Sequence, residues 1–189
     1  PKGQAMTPEE KFDAAIDSAM NDRRDLVEFL KNHTDAQAGW EPPGGEWSIA
    51  QGVEHIILTD RHARKNLVET LETAQKTGTW DNAPDNPQKL TSDQLRRREQ
   101  GPVPAPEHLL PVEGRLLTKM IALLMPAREE TNDTLSPYRE RELERLNPPA
   151  TRYGDLNVYD RMHYMGIHDA LHKEQMERVT QASGFPSAG

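Results

Sequence analysis

Apolar residues return every three or four positions along most of this chain, and nowhere do they alternate. In "TPEEKFDAAIDSAMNDRRDLVEFLKNH", Phe12, Ile16, Met20, Val27 and Leu30 share one stripe, the signature of an amphipathic helix. Thr7 stands as N-cap, Pro8 at the first helical position and Glu10 where a capping box needs its acid. A second box, Ser48 with Gln51, opens a helix whose stripe runs through Ile49, Val53, Ile56, Ile57, Asp60, Leu67 and Leu71 to about residue 75. A third helix is expected over 116–135, with Pro126 kinking it or delaying its start. Asn157 caps a fourth, which runs to about Ala182 with Val158, Met162, Met165, Met176 and Val179 as its core stripe. No window shows period-two alternation bounded by turns, so strands are not expected. The reading is all-α: a four-helix bundle with long connections between the second and third and the third and fourth helices.

"AQAGWEPPGGEW" and "NPPATRYGD" read as loops, and the connection from Thr77 to Pro106 has room for a helical turn around "SDQLRRRE". At 189 residues one domain suffices, placed at 6–183, and residues 1–5 ahead of Met6 read as a remnant or a frayed N-terminus. Acidic residues outnumber basic ones, 31 to 23, which argues against a nucleic-acid partner. No apolar run reaches bilayer length and the start has no signal peptide's apolar core, so no membrane partner is expected. Cys is absent, which removes disulfides, thiolate nucleophiles and thiolate ligands. It leaves the compartment open, with the cytoplasm as the expected location. Any metal must be held by His, Asp or Glu.

"GIHDALHKEQMERV" raises that question directly. His168 and His172 are four apart, so they project from neighbouring turns of one helix face and can meet a single ion. His172 falls within the core stripe and His168 at its edge, whereas His163 points nearly the opposite way and reads as solvated. A hydrogen-bonded pair of core histidines is the plain alternative, but burying two imidazoles beside methionines costs free energy unless each finds a partner. "HDALH" resembles the zinc-protease motif H-E-x-x-H with the shorter Asp169 in place of Glu, and no His follows. A di-iron bundle needs Glu-x-x-His, which no histidine here provides. On the second helix, His55 and His62 lie roughly opposite the stripe centred on Val53 and Asp60, so periodicity alone places His55 at the surface.

"EWSIAQGVEHI" resembles the second-helix signature of the DinB-like proteins, in which a Trp-Ser helix start is followed, seven residues after the Ser, by a metal-ligating His. "YGDLNVYDRMHYMGIHDALHKEQMERV" resembles that family's closing segment, His-x-x-x-His with Gln three residues on. The likeness extends over about residues 7–182. It implies a bundle holding one divalent ion on His55, His168 and His172, and it implies a homodimer; zinc and nickel both suit imidazole ligands, and the sequence does not discriminate them. Leu58 and Val68, on the flanks of the second helix's stripe, are the sequence's own hint of a dimer. Family members act as metal-dependent hydrolases, as transferases of low-molecular-weight thiols or as isomerases, and many have no assigned activity. The likeness therefore carries fold and metal further than substrate.

A divalent ion on three neutral imidazoles keeps its charge and an open position. There it can activate water, or a low-molecular-weight thiol as co-substrate, for attack on a small electrophilic molecule. A metal-dependent hydrolase or thiol transferase is the leading reading. A metal-binding or regulatory module without turnover is the second, and a plain helical interaction protein the third. Glu54, Asp60, His62 and Asp169 are the candidate general bases, Gln175 a hydrogen-bond partner for a ligating His, and Trp47 a residue packed under the helix start.

Overall fold

The computed structural model describes residues 5–87, 94, 104–112, 114–151 and 154–187. Five α-helices lie among them: α1 (Pro8–Leu30), α2 (Asp35–Ala38), α3 (Ile49–Thr77), α4 (Leu117–Leu135) and α5 (Val158–Thr180). No strand occurs among the described residues, and the single isolated bridge joins Thr151 to Gly154. The turn expected around "SDQLRRRE" lies, apart from residue 94, outside the described residues, as do residues 1–4.

Local chemistry sets the helix starts. The Thr7 hydroxyl accepts the Glu10 amide at 3.2 Å while the Glu10 carboxylate accepts the Thr7 amide at 2.8 Å, and Ser48 and Gln51 close the same reciprocal pair on α3. Each box satisfies two amides that a helix start otherwise leaves without partners. A third box, Thr34 with Gln37, opens α2, whose last three residues fall in the stretch from which a loop was expected. The signal was present, but four residues are too few to show a period. Pro126 lies inside α4 without delaying its start. Asn157 caps α5, its side-chain oxygen accepting the Asp160 amide at 2.8 Å.

α1 and α3 each pack against both α4 and α5, with the α1–α5 contact the most extensive. The buried apolar residues form two main clusters. One joins Leu26, Ile49, Ile56, Met120, Leu124 and Met176, and the other joins Phe12, Leu67, Leu71, Leu135, Val158 and Met162. On each long helix, of the charged residues that fall in the sequence between the segments feeding the two clusters, one turns inward: Arg23 on α1, Asp60 on α3, Arg128 on α4 and Asp169 on α5. All four are buried. Arg23 donates to Asp60 at 2.7 Å and, through two nitrogens, to Asp169 at 2.8 and 2.9 Å. Arg128 donates to Asp60 at 3.0 Å and to Asp169 at 3.1 Å; Arg23 Nη1 reaches the Leu124 carbonyl and Arg128 Nη1 the Ala19 carbonyl, while Arg128 Nε finds no partner among the described residues. Burial works against the charge on Arg23, but the Asp169 and Asp60 carboxylates outweigh it and hold the guanidinium above its ordinary range. Two cations and two anions share this layer, which limits the cost of taking them out of water.

Candidate metal centre

α3 and α5 bring three imidazoles together. The His55 ring centroid lies 5.2 Å from that of His168 and 4.9 Å from that of His172, and the last two are 4.4 Å apart. Each ring offers one nitrogen such that all three lie within 4.8 Å of one another. The bonds at the other ring nitrogens matter as much. The Leu109 carbonyl sits 2.7 Å from His55 Nδ1, and Gln175 Oε1 sits 3.0 Å from His172 Nδ1. Both oxygens can only accept, so each Nδ1 carries its proton and each Nε2 presents a bare lone pair. His172 Nε2 and His168 Nε2 are 3.1 Å apart. A tetrahedral ion with bonds of about 2.0–2.1 Å sets its nitrogen ligands about 3.3 Å apart, so His168 and His172 already stand at ligand spacing, and His55 offers a nitrogen within 4.8 Å of theirs.

His55 is buried, contrary to its helical-wheel position. A wheel assumes that a helix is covered on one face. The first turns of α3 are covered on a second side by a short 3-10 turn, Glu107–Leu109, whose last carbonyl holds the His55 ring. Trp47 also differs from expectation. Its ring lies 4.9 Å from that of His55 and stacks on His172 at 6.3 Å with an 18° interplanar angle, so it walls the histidine cluster. A cavity of about 740 Å³ opens from the three histidines between α3 and α5. Segments 104–110 and 149–151 line its other sides.

The carboxylate candidates fare differently from His62. Asp60 and Asp169 are engaged by Arg23 and Arg128 in the buried layer and do not line the cavity. Burial pushes the Asp169 carboxyl up, and the two guanidiniums oppose that push. Glu54 is buried but likewise absent from the cavity wall. His62 does line it, with Asn66 Nδ2 donating to its Nε2 at 3.1 Å and the His108 ring 5.2 Å away. His163 is half-buried rather than fully solvated.

The profile of the DinB superfamily matches residues 21–176. The chain belongs to the DinB superfamily. A curated relative, "Uncharacterized protein YuaE" of Bacillus subtilis (strain 168), is 25% identical over 153 residues, which cover 80% of this chain and 88% of the relative. No solved structure gives a significant match. This DinB-superfamily chain has no described helix long and apolar enough to cross a membrane.

The basic cavity residues His108 and Arg161 went unrecognised in the sequence. His108 falls in a stretch with no periodicity. Arg161, by contrast, precedes His168 by seven residues, as His55 precedes His62, and that shared two-turn spacing was the available signal.

Proposed function

We propose that this DinB-superfamily protein is a metal-dependent enzyme whose His55, His168 and His172 hold one divalent ion, zinc or nickel, beside a pocket for a small electrophilic substrate. The supporting observation is the set of hydrogen bonds from Nδ1 to Leu109 and Gln175 that turn two Nε2 lone pairs toward a common point. Three uncharged ligands suit an ion that acts as a Lewis acid, lowering the pKa of water, or of a thiol, bound at its open position. The chain's own residues orient and exclude. Leu109 fixes the plane of His55, Trp47 covers the rings on one side, and Leu110 and Leu171 give the pocket apolar wall. Hydrolysis and thiol transfer both fit this arrangement. The packing of α1 and α3 against α4 and α5 supports reading the fold as a four-helix bundle. Exposed Leu110, Val112, Leu116 and Leu123 support a homodimer, for which light scattering should give twice the chain mass; a monomer at micromolar concentration rejects it.

Elemental analysis tests the metal directly. The purified protein should carry about one zinc or nickel ion per chain and His172→Ala far less; equal content in the two removes the assignment. Metal-loaded and chelated protein should then be assayed on amides, esters and electrophiles, with and without added low-molecular-weight thiol. If water is the nucleophile, activity rises with pH through about 7. If a thiol is, turnover requires it and yields a thioether. Full metal occupancy without activity across the panel points instead to a binding module.

A further inference from the structure

The cavity continues past the histidine cluster to a second polar end. His62 is two turns along α3 from His55, and Arg161 two turns along α5 from His168, about 10 Å in each case. Both line the cavity, together with His108 and Asn66. Arg161 is 6% exposed, and its Nε has no hydrogen-bond partner. Among the described residues no carboxylate pairs with its guanidinium. The neutral Tyr164 ring lies beside it, its centroid 5.8 Å from the guanidinium carbon. Desolvation holds the Arg161 guanidinium below its ordinary range, in contrast to Arg23 of the neutral layer.

A buried guanidinium without a counter-ion is costly and uncommon. Here it faces a cavity rather than the core, so an anion entering that cavity can neutralise it. The neighbouring groups suit the same ligand. Burial, His108 and Arg161 keep His62 below its ordinary value, so it is largely neutral near pH 7. It can become a charged donor once an anion arrives. Glu69 pulls His62 weakly the other way and lies 3.8 Å from Lys65 on the surface.

We propose that Arg161, flanked by His62 and His108, forms an anion-binding subsite, so that the substrate carries a carboxylate or phosphate monoester about two helical turns from its reacting atom. This rests on the reading of the cavity as the substrate pocket. It adds what the metal alone does not specify: a small molecule with an anionic end bound at Arg161 and an electrophilic end at the histidines.

The probes are hexanoate, hexyl phosphate and the neutral isostere hexanamide, titrated calorimetrically into chelated full-length protein. Chelation matters because a carboxylate or phosphate could otherwise bind the metal itself. Hexanoate or hexyl phosphate should bind more tightly than hexanamide by on the order of tenfold or more, the worth of a charge-assisted pair. The stronger of the two anions identifies the headgroup class. Arg161→Gln should abolish the preference, Arg161→Lys should keep part of it, and His172→Ala should leave it intact. Equal binding of hexanoate, hexyl phosphate and hexanamide to the wild-type chain overturns the subsite without any variant, as does undiminished anion preference in a folded Arg161→Gln. A wild-type chain that takes up no metal yet keeps its anion preference overturns the metal reading and leaves the subsite standing.

Discussion

Gln175 touches His172 through one acceptor, 3.0 Å from Nδ1. Removing such a partner leaves the ligand in place but frees its ring and its tautomer. Gln175→Ala should therefore weaken metal binding by about 10- to 100-fold while leaving the helical circular dichroism unchanged. A competition titration against a chromophoric chelator measures this, and unchanged affinity removes Gln175 from the site. His62 offers a test by pH. Its folded pKa lies below the ordinary 6.5, chiefly through burial. Below about pH 6.5 the unfolded chain therefore takes up a proton that the folded chain resists, and stability falls as the pH drops from there through the folded value. Urea denaturation of the wild-type chain should show that decline, and His62→Gln should flatten it. An equally steep decline in the variant assigns the effect to other groups.

Gly166 and Gly52 look alike in sequence, each a glycine inside a helix, but their surroundings differ. A Cβ at Gly166 would sit 2.7 Å from Ala19 Cα and 2.8 Å from Asp22 Oδ2, so α1 and α5 approach here at backbone distance. A Cβ at Gly52 would sit 2.7 Å from Met176 Cε, the free end of a flexible side chain. Gly166→Ala should thus destabilise by about 1–3 kcal/mol through overpacking. Gly52→Ala should stay within about 1 kcal/mol of the wild type, because improved helix propensity offsets a rotamer change in Met176. Equilibrium urea curves for the two variants decide it, and equal losses refute the close approach. The starts of α1, α3 and α5 were legible because caps and stripes are local: Thr7, Ser48 and Asn157 act within three residues of themselves. The burial of His55 was not. Its cover at Leu109 lies 54 residues downstream, and no wheel drawn on one helix contains it; only the family resemblance placed His55 beside His168 and His172. Arg23 and Arg128 were missed for the same reason. In sequence each is a charge on an amphipathic helix, and it becomes a core residue only through carboxylates on other helices.

Across the whole molecule, the four charged side chains tie α1, α3, α4 and α5 through one layer. Asp60→Ala should cost about 3–5 kcal/mol, since it strands positive charge in the interior. Thermal and chemical denaturation measure the loss. The folded fraction should still bind metal as the wild type does, because Asp60 does not line the cavity; lost metal with unchanged stability would return Asp60 to the role of site residue. The layer also shapes how such a sequence can drift. Replacing any one member leaves an unmatched charge, so the uphill intermediate stands across every single-step route. Escape requires an acid and a base to go together, or all four to yield to hydrocarbon. Four positions spread over nearly 150 residues of chain are in this sense coupled in descent, and a descendant that has lost any of them should have lost acids and bases in equal number.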